Sequence, residues 1–256
     1  MTALHHRLDG PEDAPLVVLG PSLGTSTRLW DPQVPALASR WRVLRYDLPG
    51  HGGSSPPAGP VTVEGIADEI VRLLGRLETE RFAYAGVSLG GAVGTALALR
   101  APDRVASLIL CCTSPSFGPP EAWHERARRV RGDGTGPLAE TAAARWFTPG
   151  FTGAGPYVEM LRATDAEGYA ACCEALARFD ATDRLGGITA PTLVIAGARD
   201  VATPPAGHAE TLAAGIPGAE LVVIDGAGHL ANAERPEPVT RAVTAQLDRT
   251  WKGLPA

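Results

Sequence analysis

Short apolar runs alternate with longer amphipathic stretches along most of the chain. The runs at 16–19, 43–46, 82–87, 108–112, 192–196 and 221–224 are rich in Val, Ile and Leu. Each gives way within a residue or two to Gly, Asp or Ser, the pattern of short strands buried on both faces. Over 62–77 the apolar residues Val63, Ile66, Ile70, Leu73, Leu74 and Leu77 recur every three or four positions, one face of a helix, with Thr62 as its N-cap. A second helix is predicted over 89–100. It stops ahead of Ala101-Pro102, because proline disfavours helical backbone in the residue before it. This alternation builds an α/β fold, a mainly parallel sheet with helices on both faces.

Residues 115–187 break the rhythm. They hold no strand pattern, and Gly and Pro clusters separate helical pieces at 121–131, 138–146 and 168–179. The expected organisation is a core of 1–114 and 188–256 with a helical cap inserted at 115–187. The loop Pro56-Pro57-Ala58-Gly59-Pro60 is a stiff connector.

Composition narrows the function classes. At 256 residues with 45% hydrophobic and 20% charged side chains, the chain can bury a large core. A net charge of −5 gives no basic surface, so neither nucleic acid nor an anionic membrane is an expected partner. The first residues lack the apolar stretch of a signal peptide, and no run is long enough to span a bilayer. Cys111-Cys112 and Cys172-Cys173 are adjacent pairs, suited neither to unstrained disulfides nor to zinc. They read as buried free thiols, and the expected location is the cytoplasm.

The chemistry centres on Gly86-Val87-Ser88-Leu89-Gly90, followed by Gly91. With 30 glycines in the chain, G-x-S-x-G alone is weak evidence. Its setting is specific: a buried strand runs straight into it and a helix runs straight out, the strand–turn–helix of a nucleophile elbow. A serine hydroxyl needs a base. His5 and His6 fall near the terminus, His124 in the insertion and His208 in a Pro/Gly-rich stretch. His51, in Asp47-Leu48-Pro49-Gly50-His51-Gly52-Gly53-Ser54, reads as a loop brace. His229 follows the strand 221–224 in Gly226-Ala227-Gly228-His229, beyond the carboxyl end of a strand, where catalytic residues gather. Between serine and histidine the orienting acid is Asp200, after the strand 192–196, in preference to Asp225, which reads as a turn residue. The oxyanion donors are the N–H groups of Leu89, directly after the serine, and of Leu23, in Pro21-Ser22-Leu23-Gly24. Pro21 has no N–H to offer.

Together these residues resemble the α/β-hydrolase superfamily along nearly the whole chain. Within it the chain is similar to the 3-oxoadipate enol-lactone hydrolases of the bacterial β-ketoadipate pathway of aromatic catabolism. The narrower likeness is carried by Ser22-Leu23-Gly24-Thr25-Ser26 with Trp30-Asp31, by Tyr46-Asp47 through Ser54, and by Ser88-Leu89-Gly90-Gly91. Arg145-Trp146-Phe147-Thr148-Pro149 and Glu167-Gly168-Tyr169-Ala170-Ala171-Cys172-Cys173 add to it from within the insertion. Against that family, only 3–8 can form a strand before the turn Asp9-Gly10-Pro11, one strand fewer than the pattern. No fused decarboxylase, as in some actinobacterial relatives, is expected.

The resemblance implies a serine hydrolase that opens a small carboxylated enol-lactone to 3-oxoadipate through an acyl-enzyme, with no metal or organic cofactor. The substrate carboxylate wants a cation, and the insertion offers Arg126, Arg128, Arg129, Arg131 and Arg145. Arg126 is the candidate, one helical turn beyond Trp123. Trp123 and Trp146 are candidate pocket walls. A general carboxylesterase and a cofactor-free haloperoxidase-like hydrolase are alternatives on the same residues, and a lactone-binding receptor is a third. Homo-oligomerisation is left open.

Overall fold

The computed structural model describes residues 4–251. The six apolar runs and a short polar segment before them form seven strands: β1 (His6–Asp9), β2 (Leu16–Gly20), β3 (Arg42–Tyr46), β4 (Phe82–Val87), β5 (Val105–Cys111), β6 (Thr192–Gly197) and β7 (Glu220–Ile224). They lie side by side in the order β1-β3-β2-β4-β5-β6-β7. Only β1 is antiparallel to its neighbour, pairing His6 with Tyr46 and Asp9 with Val43. Every position of β2, β4, β5 and β6 is buried, as the unbroken apolar runs require, while the edge strands β1 and β7 are partly exposed. The order of the sheet reverses between β2 and β4. Such a switch point opens a crevice at the carboxyl ends of the strands.

Ten helices accompany the sheet among the described residues: α1 (Val34–Leu37), α2 (Val63–Arg76), α3 (Leu89–Arg100), α4 (Pro120–Asp133), α5 (Gly136–Trp146), α6 (Gly155–Arg162), α7 (Ala166–Arg178), α8 (Glu210–Gly215), α9 (Ala231–Glu234) and α10 (Pro236–Thr250). Thr62 caps α2, its hydroxyl accepting from Gly65 N–H at 2.9 Å. α3 is buried from Leu89 to Ala98 and packs on β4 and β5. Between β5 and β6 the chain forms α4 to α7, with α4 packed on α7 and α5 on α6.

α7 meets the loop after β3 at backbone distance. A Cβ on Gly168 would stand 2.5 Å from the Gly50 Cα, so neither glycine can carry a side chain here. Asp165 caps α7 by accepting from Gly168 N–H at 2.8 Å, and its own N–H donates to Gly50 O at 3.0 Å. All four cysteines are free and buried. No helix among the described residues is long and apolar enough to cross a membrane.

The element boundaries differ from expectation in three places. β1 runs from His6 to Asp9 rather than over 3–8, because its pairing with β3 starts at Tyr46; Ala3 lies outside the described residues. β5 begins at Val105 and ends before Cys112, whose φ of +45° bends the chain out of the ladder. α6, eight residues long with only Leu161 buried, was not among the expected helices.

Candidate active site

β4 ends at Val87 and α3 begins at Leu89, leaving Ser88 alone in the turn. Its φ of +55° is left-handed, a conformation that costs a non-glycine residue about 1–3 kcal/mol. The surroundings enforce it. Ser88 N–H donates to Cys111 O at 3.0 Å, and Ser88 O accepts from the Thr113 hydroxyl at 2.6 Å. The flanking glycines are sterically required. A Cβ on Gly86 would meet Gly90 O at 2.2 Å, and one on Gly90 would meet Gly20 O at 2.5 Å.

His229 and Asp200 stand together although 29 residues separate them, with Nδ1 to Oδ2 at 2.8 Å. Asp200 is fixed from its other side. Its Oδ1 accepts from Ala202 N–H at 2.8 Å and Thr203 N–H at 2.9 Å, and its Oδ2 from the Thr203 hydroxyl at 2.8 Å. A carboxylate can only accept, so His229 carries its proton on Nδ1 and Nε2 is left with a lone pair. Burial pushes the Asp200 carboxyl up, but its pairing with His229 and the bonds from Thr203 outweigh it, and the group sits below its ordinary value. Asp225 is exposed. Thr203 escaped the sequence reading, although an Asp followed three positions later by Thr is a recognisable turn pattern.

His51 is fully buried among backbone groups. Its Nδ1–H donates to Pro49 O at 2.9 Å and its Nε2 accepts from Gly24 N–H at 3.0 Å. Burial brings its pKa down to about 4, which keeps it neutral and able to accept. With Gly24 N–H taken, the Leu23 N–H has no acceptor among the described residues. Leu89 N–H stands in the first turn of α3, whose earliest backbone bond is Ala92 N–H to Ser88 O. The segments that follow β2 and β4 therefore each carry an N–H, of Leu23 and of Leu89, with no partner among the described residues.

Ser22, Leu23, Ser88, Thr203 and His229 form one side of a cavity of about 120 Å³. Trp123, Arg126, Arg145 and Trp146 line it from the helices between β5 and β6. Ser88 and His229 share this wall without a hydrogen bond between them. No other histidine lines the cavity. His5 pairs with Asp47 at 2.7 Å and His208 with the Ser114 hydroxyl at 2.8 Å.

The five arginines divide. Arg128 and Arg129 pair with Glu125, and Arg131 with Glu167 and Glu174, all away from the cavity. Arg126 stacks over the Trp123 ring at 4.8 Å. Arg145 is held below the usual guanidinium range by burial and by the charge of Arg126. Tyr169 lines the same cavity, its phenol raised by burial and drawn back by Arg126 and Arg145.

A model of the alpha/beta hydrolase family matches residues 17–242. A 3-oxoadipate enol-lactonase of Acinetobacter baylyi is 38% identical over 96% of this chain and 94% of its own. The enol-lactonase from Burkholderia xenovorans superimposes with a TM-score of 0.92 at 40% identity, covering 96% of each chain. A malate-bound esterase from Thermogutta terrifontis superimposes with a TM-score of 0.90 at 34% identity, over 97% of this chain and 94% of its own. The chain thus belongs to the α/β-hydrolase family, as an ester- and lactone-opening hydrolase similar to the enol-lactonases.

Proposed function

We propose that Ser88, His229 and Asp200 act as a catalytic triad that hydrolyses 3-oxoadipate enol-lactone to 3-oxoadipate under a cap formed by residues 115–187. One observation carries this reading: the cavity that holds the Ser88 hydroxyl also presents Arg126 and Arg145, neither paired with a carboxylate among the described residues. A neutral ester has no use for two such cations. A lactone with a free carboxymethyl group does.

His229 Nε2 takes the Ser88 proton as Oγ bonds to the ring carbonyl carbon, and the oxyanion receives the N–H groups of Leu23 and Leu89. The ring C–O bond then breaks, and its electron pair leaves on an enol oxygen that takes the proton from His229. An enol is a far better leaving group than an alcohol, so little acid assistance is needed. Water, losing a proton to His229, then cleaves the acyl-enzyme. Ser88 recovers its proton, and the released enol tautomerises to the ketone. The four buried thiols suit a reducing cytoplasm as the setting.

A general carboxylesterase is the second reading, favoured by the relation to the Thermogutta terrifontis esterase. Turnover on the carboxymethyl enol-lactone, its neutral methyl ester, simple esters and a thioester separates the two. The proposal expects the free carboxylate to give the highest kcat/KM. Equal or better turnover of the neutral compounds would favour the esterase.

A further inference from the structure

Glu234 is a carboxylate that the chemistry above does not use. It ends α9, five residues beyond His229, and is only 9% exposed. Its donors are all uncharged. Oε2 accepts from Gly228 N–H at 2.7 Å, and Oε1 from Thr148 N–H at 2.9 Å and from the Thr148 hydroxyl. One carboxylate therefore joins the residue before His229 to Thr148, which lies 86 positions before Glu234 and just past the end of α5.

The residue after His229 is tied to the same place. Leu230 N–H donates to Trp146 O at 3.1 Å. Gly228 lies so close that a Cβ there would stand 2.8 Å from the same oxygen. Asp200 sets the tautomer of the imidazole; the His229 backbone is held on one side by β6 and the turn after it, where Arg199 N–H donates to Ala227 O at 2.9 Å, and on the other by these contacts with residues 146–148. Trp146 meanwhile lines the cavity from the cap side.

We infer that Glu234 is a positioning residue: it straps the His229 backbone to the end of α5, so that the base and the Trp146 wall of the cavity take their places together. This rests on the Ser88–His229–Asp200 reading. The strap needs a carboxylate because both oxygens must accept. A glutamine in its place presents one acceptor and one NH₂ group, and in either orientation it sets a donor against a donor. Glu234→Gln therefore opens one leg at nearly constant volume. Thr148→Val removes only the hydroxyl leg and keeps the N–H.

The experiment compares kcat and KM for the carboxymethyl enol-lactone and for vinyl acetate, an enol ester too small to reach Trp146. Active sites are counted by stoichiometric titration with a fluorophosphonate, with Ser88→Ala as the zero. Glu234→Gln is expected to lower kcat per titrated site about 10- to 100-fold for both substrates, the scale of a small misplacement of a catalytic group. KM should rise for the lactone alone. Thr148→Val should move kcat the same way by a smaller factor, and it decides by the same criterion where Glu234→Gln does not fold. A lower melting temperature with unchanged kcat per site in both variants would make Glu234 merely structural and overturn the inference. A wild type inert on both substrates, or an active Ser88→Ala, would instead overturn the triad reading and the strap with it.

Discussion

Replacing Asp200 by Asn is nearly isosteric, yet the geometry predicts a large loss. Oδ1 accepts from two backbone N–H groups, Ala202 at 2.8 Å and Thr203 at 2.9 Å, so the amide must keep its oxygen there. Its NH₂ then faces the Thr203 hydroxyl and His229 Nδ1, where Oδ2 stood at 2.8 Å from each. An NH₂ pointing at Nδ1 favours the tautomer protonated on Nε2, and that nitrogen can no longer accept the Ser88 proton. An Asp→Asn change that traps the wrong tautomer in a serine hydrolase costs about 10⁴-fold in kcat, or about 5 kcal/mol. Asp225, exposed on the turn after β7, offers the control, and Asp225→Asn should change kcat less than about twofold. Ester hydrolysis by folded variants at one fixed pH provides the assay. An Asp200→Asn enzyme within tenfold of wild type, or a larger loss in Asp225→Asn, would refute the assignment of the acid.

Arg126→Ala should raise KM for the carboxymethyl lactone about 10- to 100-fold, the worth of one charge-assisted hydrogen bond, and leave KM for its methyl ester nearly unchanged. Equal effects on the two would remove Arg126 as the anchor. Gly168→Ala forces a Cβ to 2.5 Å from the Gly50 Cα and should cost about 1–3 kcal/mol, several degrees of Tm by calorimetry. Gly186→Ala, with nothing within 4 Å of its Cβ, should be neutral. His51 is held neutral, with a pKa lowered from 6.5 to about 4. The stability this contributes is fully present above pH 6.5 and is lost as the pH falls toward 4, by at most about 3 kcal/mol. Urea denaturation at pH 7 and pH 4.5 should show that loss, and His51→Asn should flatten it.

What the sequence made legible was whatever depends on near neighbours. Gly86 is legible because the clash it avoids lies within the turn, with Gly90 four residues on, whereas Gly90 and Gly91 are kept small by Gly20 and Thr113, which the fold brings near. The central strands are legible because burial on both faces leaves an unbroken apolar run. α6 is harder to read because it spans only eight residues and buries one of them. The arginines of α4 looked alike in sequence. Which of them face the cavity depends on how α4 sits on α7, where Glu167 and Glu174 claim Arg131. Thr203 could have been found from its three-residue spacing to Asp200, but the Thr148 partner of Glu234 lies 86 residues away. Only the fold brings those donors and acceptors together.

The central claim is that Ser88 is the nucleophile of an acyl-enzyme. Its most direct test is covalent trapping: titration with a fluorophosphonate, followed by intact-mass measurement, peptide mapping and assay of residual turnover. The account predicts one equivalent bound, mapped to Ser88, with lactone and ester hydrolysis lost in proportion to labelling and no label taken up by Ser88→Ala. A label mapped to any other residue, or turnover that persists at full occupancy of Ser88, would contradict it.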